Sequence, residues 1–199
     1  MSGTFPSTPK AAKATIKSTQ PTRVSTAHSF RRVTRSVGIQ RWQVSLSWQG
    51  KTRAQLAAII AFCLAQRGQY GSFLLSIPAA VIAPLGKLGG SPVVNGGGIV
   101  GNSVSTRGWT PSITGVLKAG DFISFYGHGK VYMVTADASS DGSGNATLTI
   151  EPPLLVSPAD GAAVQTSPSF TVALASDDVQ PQFESGDVVS LNLDFVETW

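Results

Sequence analysis

Residues 41–78 read RWQVSLSWQGKTRAQLAAIIAFCLAQRGQYGSFLLSIP, and this stretch decides the fold class. From Arg41 to Trp48 the chain alternates: Trp42, Val44, Leu46 and Trp48 share one face, and Arg41, Gln43, Ser45 and Ser47 share the other. A period of two is that of a strand with one buried face. Gly50-Lys51 turns the chain, and Thr52 with Gln55 three residues on forms a capping box, in which each residue satisfies a backbone N–H of the helix start. Leu56, Ile59, Ile60 and Cys63 then recur at the spacing of one helix face, which predicts a helix over about 53–66. Gly68 stands where a helix end takes up a left-handed residue. Phe73, Leu75 and Ile77 mark a further strand that Pro78 stops. Trp42 and Trp48 belong to the core on this reading, and Cys63 to the buried stripe of the helix.

Downstream the period stays near two. From Ala79 to Pro111 the chain is dense in Gly, Pro and Ser, including Asn95-Gly-Gly-Gly98; it reads as a long loop with short strands at Val93-Val94 and Ile99-Val100. A meander follows, with strands at 121–126, 131–135 and 146–150, the first two joined by the turn Gly127-His128-Gly129-Lys130. Phe170–Leu174 and Val188–Phe195 close the series, the last with Val189, Leu191, Leu193 and Phe195 on one face. The expected fold is mainly β with one principal α-helix, a β-barrel or β-sandwich. Its domain is expected to span 38–199, preceded by a basic extended arm over 1–37.

Charge divides this chain of 199 residues unevenly. Residues 1–120 hold 14 of the 15 Lys and Arg and no Asp or Glu; from Asp121 onward come all 11 acids and one base, Lys130. A net +4 thus conceals one strongly basic block and one acidic block. The arm is rich in Thr, Ser, Pro, Lys and Arg, too poor in apolar surface to offset its ordering entropy alone, so neighbouring molecules are expected to hold it. Its single cysteine excludes an internal disulfide framework. The first residues lack the basic-then-apolar layout of a signal peptide. The longest apolar run, Leu56–Ala65, is about half of what a membrane span needs.

Reactive constellations are missing from the pattern. His28 lies in the polar arm and His128 at a hairpin tip between glycines, where a solvated loop histidine is the better reading than a base. Asp137 to Gly144 has some flavour of a calcium loop but lacks the alternating ligands and the closing Glu, so its acids read as turn formers. Gly96–Gly101 has no following Lys-Ser or Lys-Thr, so a phosphate cradle is unsupported. No enzyme, cofactor or metal site is expected.

The order Gly38-Ile-Gln-Arg-Trp42-Gln-Val-Ser-Leu46, a helix opened at Thr52 and carrying Phe62, Arg67-Gly68, and Gly71-Ser-Phe73 recurs in a known group of proteins. So do Trp109-Thr-Pro111, Leu117-Lys-Ala-Gly-Asp121, Gly144-Asn-Ala-Thr-Leu148 and Glu151-Pro152-Pro153-Leu154. Over about 30–199 the chain resembles tail proteins of bacteriophages with long non-contractile tails, of the distal-tail-protein or tail-hub kind. That resemblance implies a structural virion protein, made in the host bacterial cytoplasm. It implies copies assembled as a ring, usually of six, at the tail tip, joining the tube to the hub and fibres, with DNA only passing through a channel. The alternatives are a nucleic-acid-binding protein that uses the basic arm, or a collar or adaptor protein elsewhere in the virion.

For such a protein the site is the subunit interface. In the arm the expected contacts are Phe5, Ile16 and Val24 as apolar anchors among Lys10, Lys13, Lys17, Arg23, Arg31 and Arg32. The Gly-rich loop around Asn95 and Gly97 and the tip at His128 are further candidates. Asp177, Asp178, Glu184 and Asp187 are expected to include partners for the basic arm or groups facing the channel.

Overall fold

The computed structural model describes residues 3–199. Its strands, in chain order, are β1 (Lys13–Thr19), β2 (Thr22–Thr26), β3 (Arg32–Ser36), β4 (Arg41–Thr52), β5 (Ser72–Leu75), β6 (Gly90–Val94), β7 (Ser103–Trp109), β8 (Phe122–Phe125), β9 (Tyr132–Val134), β10 (Ala146–Glu151), β11 (Val164–Gln165), β12 (Phe170–Leu174), β13 (Gln182–Glu184) and β14 (Val188–Glu197). Helix α1 covers Arg53–Ala65, and a single turn of helix, α2, covers Ala79–Ile82. The fold is mainly β with one principal helix, as the periodicity predicts. The described residues form two compact units, one of residues 3–7, 73–172 and 199, the other of 8–72 and 173–198.

The first unit is a barrel. Its strands follow the order β11-β8-β9-β10-β7-β6, every pair antiparallel. The ends of that order meet: Val94 N donates to the Ala162 carbonyl (2.9 Å), Gly161 N donates to the Val94 carbonyl (3.0 Å), and Val93 bridges Ala163. The barrel is therefore nearly closed, which leaves few unpaired edges. Its interior holds Val104, Trp109, Leu117, Ile123, Phe125, Tyr132, Val134, Leu148 and Ile150, all buried. The Trp109 indole N–H donates to Thr106 Oγ1 (2.8 Å), whose hydroxyl donates to the Ala146 carbonyl (2.7 Å), so a buried polar pair is satisfied within the apolar core.

A buried carboxylate, Asp121, holds the loop before β6 against the barrel. It accepts from Leu85 N (2.6 Å), Gly86 N (3.1 Å) and Lys118 N (2.7 Å). In β7, Gly108 has φ +85°, and a Cβ there would stand 2.6 Å from the Ser91 carbonyl oxygen. It sits opposite a register shift in β6, so the glycine admits the bulge that lets the two strands wrap.

The second unit is a sheet backed by a helix. β4 lies between β1 and β14, and β13 pairs with β14, all antiparallel. On one face of the β4–β14 ladder Leu46 lies opposite Leu193, Val44 opposite Phe195 and Trp48 beside Leu191, all buried. Helix α1 packs on β4 and β14 through Leu56, Ile59 and Cys63. The capping box forms as read: Gln55 N donates to Thr52 Oγ1 (3.3 Å) and Thr52 N to Gln55 Oε1 (3.0 Å). The left-handed step after α1 is taken first by Arg67 (φ +58°) and then by Gly68 (φ +67°).

Several expectations change. Ile99-Val100, expected as a strand, is loop, and the real partner of β6 is β7, which lies in the stretch expected to be irregular. The first 37 residues are not without structure: β1 lies in register along β4 from Lys13↔Ser47 to Thr19↔Arg41. The Trp48 indole N–H donates to the Pro9 carbonyl (2.8 Å) and Ala12 N to the Ser47 carbonyl (2.8 Å), so this part of the basic segment is held by its own chain.

Candidate assembly interface

Between β1 and β4 the ribbon continues outward as a second ladder, β2 with β3, from Thr22↔Ser36 to Thr26↔Arg32. Val37 N donates to the Pro21 carbonyl (3.0 Å) and ties its base. The tip is a five-residue loop closed by Ala27 N to the Arg31 carbonyl (3.0 Å) and Phe30 N to the Ala27 carbonyl (2.9 Å). Every residue from 21 to 39 is exposed. Two five-residue strands with no third strand are marginal on their own, so this ladder is poised for a covering surface.

Its chemistry is uniform. Residues 21–39 contain Arg23, Arg31, Arg32 and Arg35 and no acid. Arg23 lies directly opposite Arg35, a like-charged pair that an acidic partner would relieve. Phe30 at the tip is 90% exposed and holds φ +59°, a backbone region that a bulky side chain rarely adopts. Val24, Val33, Val37 and Ile39 are also exposed.

The other candidates fall as follows. Phe5 is buried in the barrel unit, stacked on Phe73 at 5.9 Å, while Phe5 N donates to the Leu74 carbonyl; its place is in its own core rather than on a neighbour. Lys10 is exposed, and Lys13, Ile16 and Lys17 lie on β1, the edge strand beside β4. Asn95 accepts from Arg107 Nη1 (2.9 Å), and Arg107 Nη2 reaches Asp160 (3.2 Å), whose carboxylate also accepts from Gly96 N (2.9 Å). Hence one root of the Gly-rich loop is fixed, while Gly97 at its tip is exposed, with open space where a side chain would stand. His128 packs edge-on to Phe125, and burial lowers its pKa. Together with Lys130, whose Nζ lies 4.8 Å from the centre of the Trp199 ring, it lines a groove of about 210 Å³.

Asp177 is engaged within its own unit, accepting from Gln69 N (3.0 Å). Asp178, Glu184 and Asp187 are exposed around the β13–β14 hairpin, where Phe183 is 64% exposed. The sequence signal for the β2–β3 ladder was present but weak. Val24, Val33 and Thr34 are strand formers, yet both faces are polar, so no buried stripe marked them.

Among the described residues the reactive side chains do not converge. Burial pushes the Cys63 thiol up to about 11, the state of an inert structural cysteine. Asp141 accepts from Ser143 N (2.8 Å), Asn145 N (2.8 Å) and Asn145 Nδ2 (3.0 Å), which depresses its pKa and commits both oxygens to the turn. Among the described residues no group of three or more His, Cys, Asp or Glu stands close enough to hold a metal, and no helix is long and apolar enough to cross a membrane.

One unit is thus a nearly closed barrel, and the other a helix-backed sheet from which an exposed basic ladder extends. Residues 82–169, which contain the barrel strands, match the family described as distal tail protein pb9, B domain. Over those residues the chain is thus similar to one domain of a bacteriophage distal tail protein. Among curated proteins none matches the chain.

Proposed function

We propose that copies of this chain form a ring at the tip of the phage tail, usually of six, that joins the tail tube to the hub and fibres. The observation that carries this reading is the similarity to a distal-tail-protein domain over 82–169. The second unit supports it by offering an open edge at β1, with Lys13 and Lys17, and an uncovered basic ladder. Lysines on an edge discourage indiscriminate strand pairing and leave contact to a chosen partner. The reading makes the protein a building block rather than an enzyme, with DNA passing through its channel and held by no base contact.

Negative-stain electron microscopy of the purified protein, together with gold labelling of intact virions, tests it. Rings in isolation and label at the tail end are expected. Labelling at the collar, or monomers that shift DNA in a salt-sensitive manner, would replace this reading with the adaptor or the nucleic-acid-binding one.

A further inference from the structure

Resting on that reading, we propose that the ring closes by one specific contact: the basic β2–β3 hairpin of each copy docks on the acidic β13–β14 hairpin of the next. The two surfaces match in charge. Residues 21–39 carry four arginines and no acid, and residues 176–187 carry four acids and no base. Asp177 is occupied by Gln69 N, which leaves Asp178, Glu184 and Asp187 facing outward. Among the described residues, neither these three acids nor Arg23, Arg31, Arg32 and Arg35 form an ion pair within the chain.

The surfaces also match in apolar content. Each hairpin presents one uncovered aromatic ring among its charges, Phe30 on the basic one and Phe183 on the acidic one. An aromatic anchor among arginines suits a protein contact, and a nucleic-acid contact would not call for the aliphatic Val24 and Val33 in the open beside it. The like-charged Arg23–Arg35 pair and the strained Phe30 tip are features that a partner would stabilise.

Because the two patches differ, the contact is heterologous: each copy gives one hairpin and receives another. Such an interface propagates head to tail and closes into a ring when the rotation permits. A self-complementary patch would stop at a dimer. Opposite charge steers the encounter, so association should quicken at low salt.

The test is a charge swap followed by light scattering on the eluting protein. R23E/R35E alone and E184R/D187R alone should each elute at the single-chain mass of 20.7 kDa, while all four together restore the assembly. The altered residues are exposed, and an unchanged thermal transition shows that each variant folds. If the native protein assembles and R23E/R35E assembles equally well at every salt concentration, the hairpin contact is wrong and the ring stands. If the native protein is a monomer throughout, the ring reading falls and this contact with it. If R23E/R35E keeps its mass but loses a salt-sensitive shift of double-stranded DNA, the hairpin serves nucleic acid and the proposal is overturned.

Discussion

Thr106 illustrates how much a single buried hydroxyl can hold. It accepts from the Trp109 indole and donates to the Ala146 carbonyl, linking β7 to β10 at a point where both are buried. Thr106→Val keeps the shape and removes both bonds, leaving an indole N–H and a carbonyl unsatisfied in the core. A loss of about 1–3 kcal/mol in unfolding free energy is expected, read from denaturant titration with an unchanged slope. At this scale the sequence was partly legible. Trp42, Trp48 and Cys63 are buried as their faces predict, and the capping box at Thr52 and Gln55 forms atom for atom. Phe5 was not legible, because an aromatic residue in a polar segment gives no sign of which surface it will meet. Thr106 was hidden for the opposite reason, since a threonine between Ser105 and Arg107 looks solvated.

Among the elements, those with a strong apolar pattern were read with bounds within a few residues: β4, α1 and β14 with one buried face, and β12, buried throughout. Those that failed share a cause. β7 has Val104 and Thr106 inward and glycine at 108, so its apolar stripe is faint although its backbone is central to the barrel. β2 and β3 bury neither face, so no periodicity marks them. That difference yields a prediction for the hairpin as an element. Replacing residues 22–36 with a short Asn-Gly turn removes no buried side chain, so the thermal midpoint should stay within about 2 °C while assembly is lost. Calorimetry alongside mass measurement checks both; a fall of the midpoint by about 10 °C would show that the ladder supports the fold itself.

At the scale of the whole molecule, the net charge of +4 describes neither part of the chain. The unevenness was plain in the sequence, but that part of it would be presented on two exposed hairpins was not, since that depends on which strands leave the sheet. The barrel has an asymmetry of its own. Its long ladders are joined around most of the wall, but between β6 and the segment before β11 it is fastened by few bonds, with Arg107–Asp160 and Gly96 N–Asp160 as a clasp across the outside. The Gly96 N–H, and then the Arg107 charge, hold the Asp160 carboxyl below the usual 3.8. The clasp's contribution is therefore present above about pH 4 and fades as the pH falls through the depressed value. Hydrogen exchange should find Val94 N and Gly161 N opening before Ile150 N, which is bonded to the Asn102 carbonyl, with the gap widening in acid; equal rates at the three amides would contradict this. In mechanical language the barrel is a split washer. A uniformly welded cylinder has no chosen place to part, whereas this wall has one seam, fastened by fewer bonds than the ladders beside it.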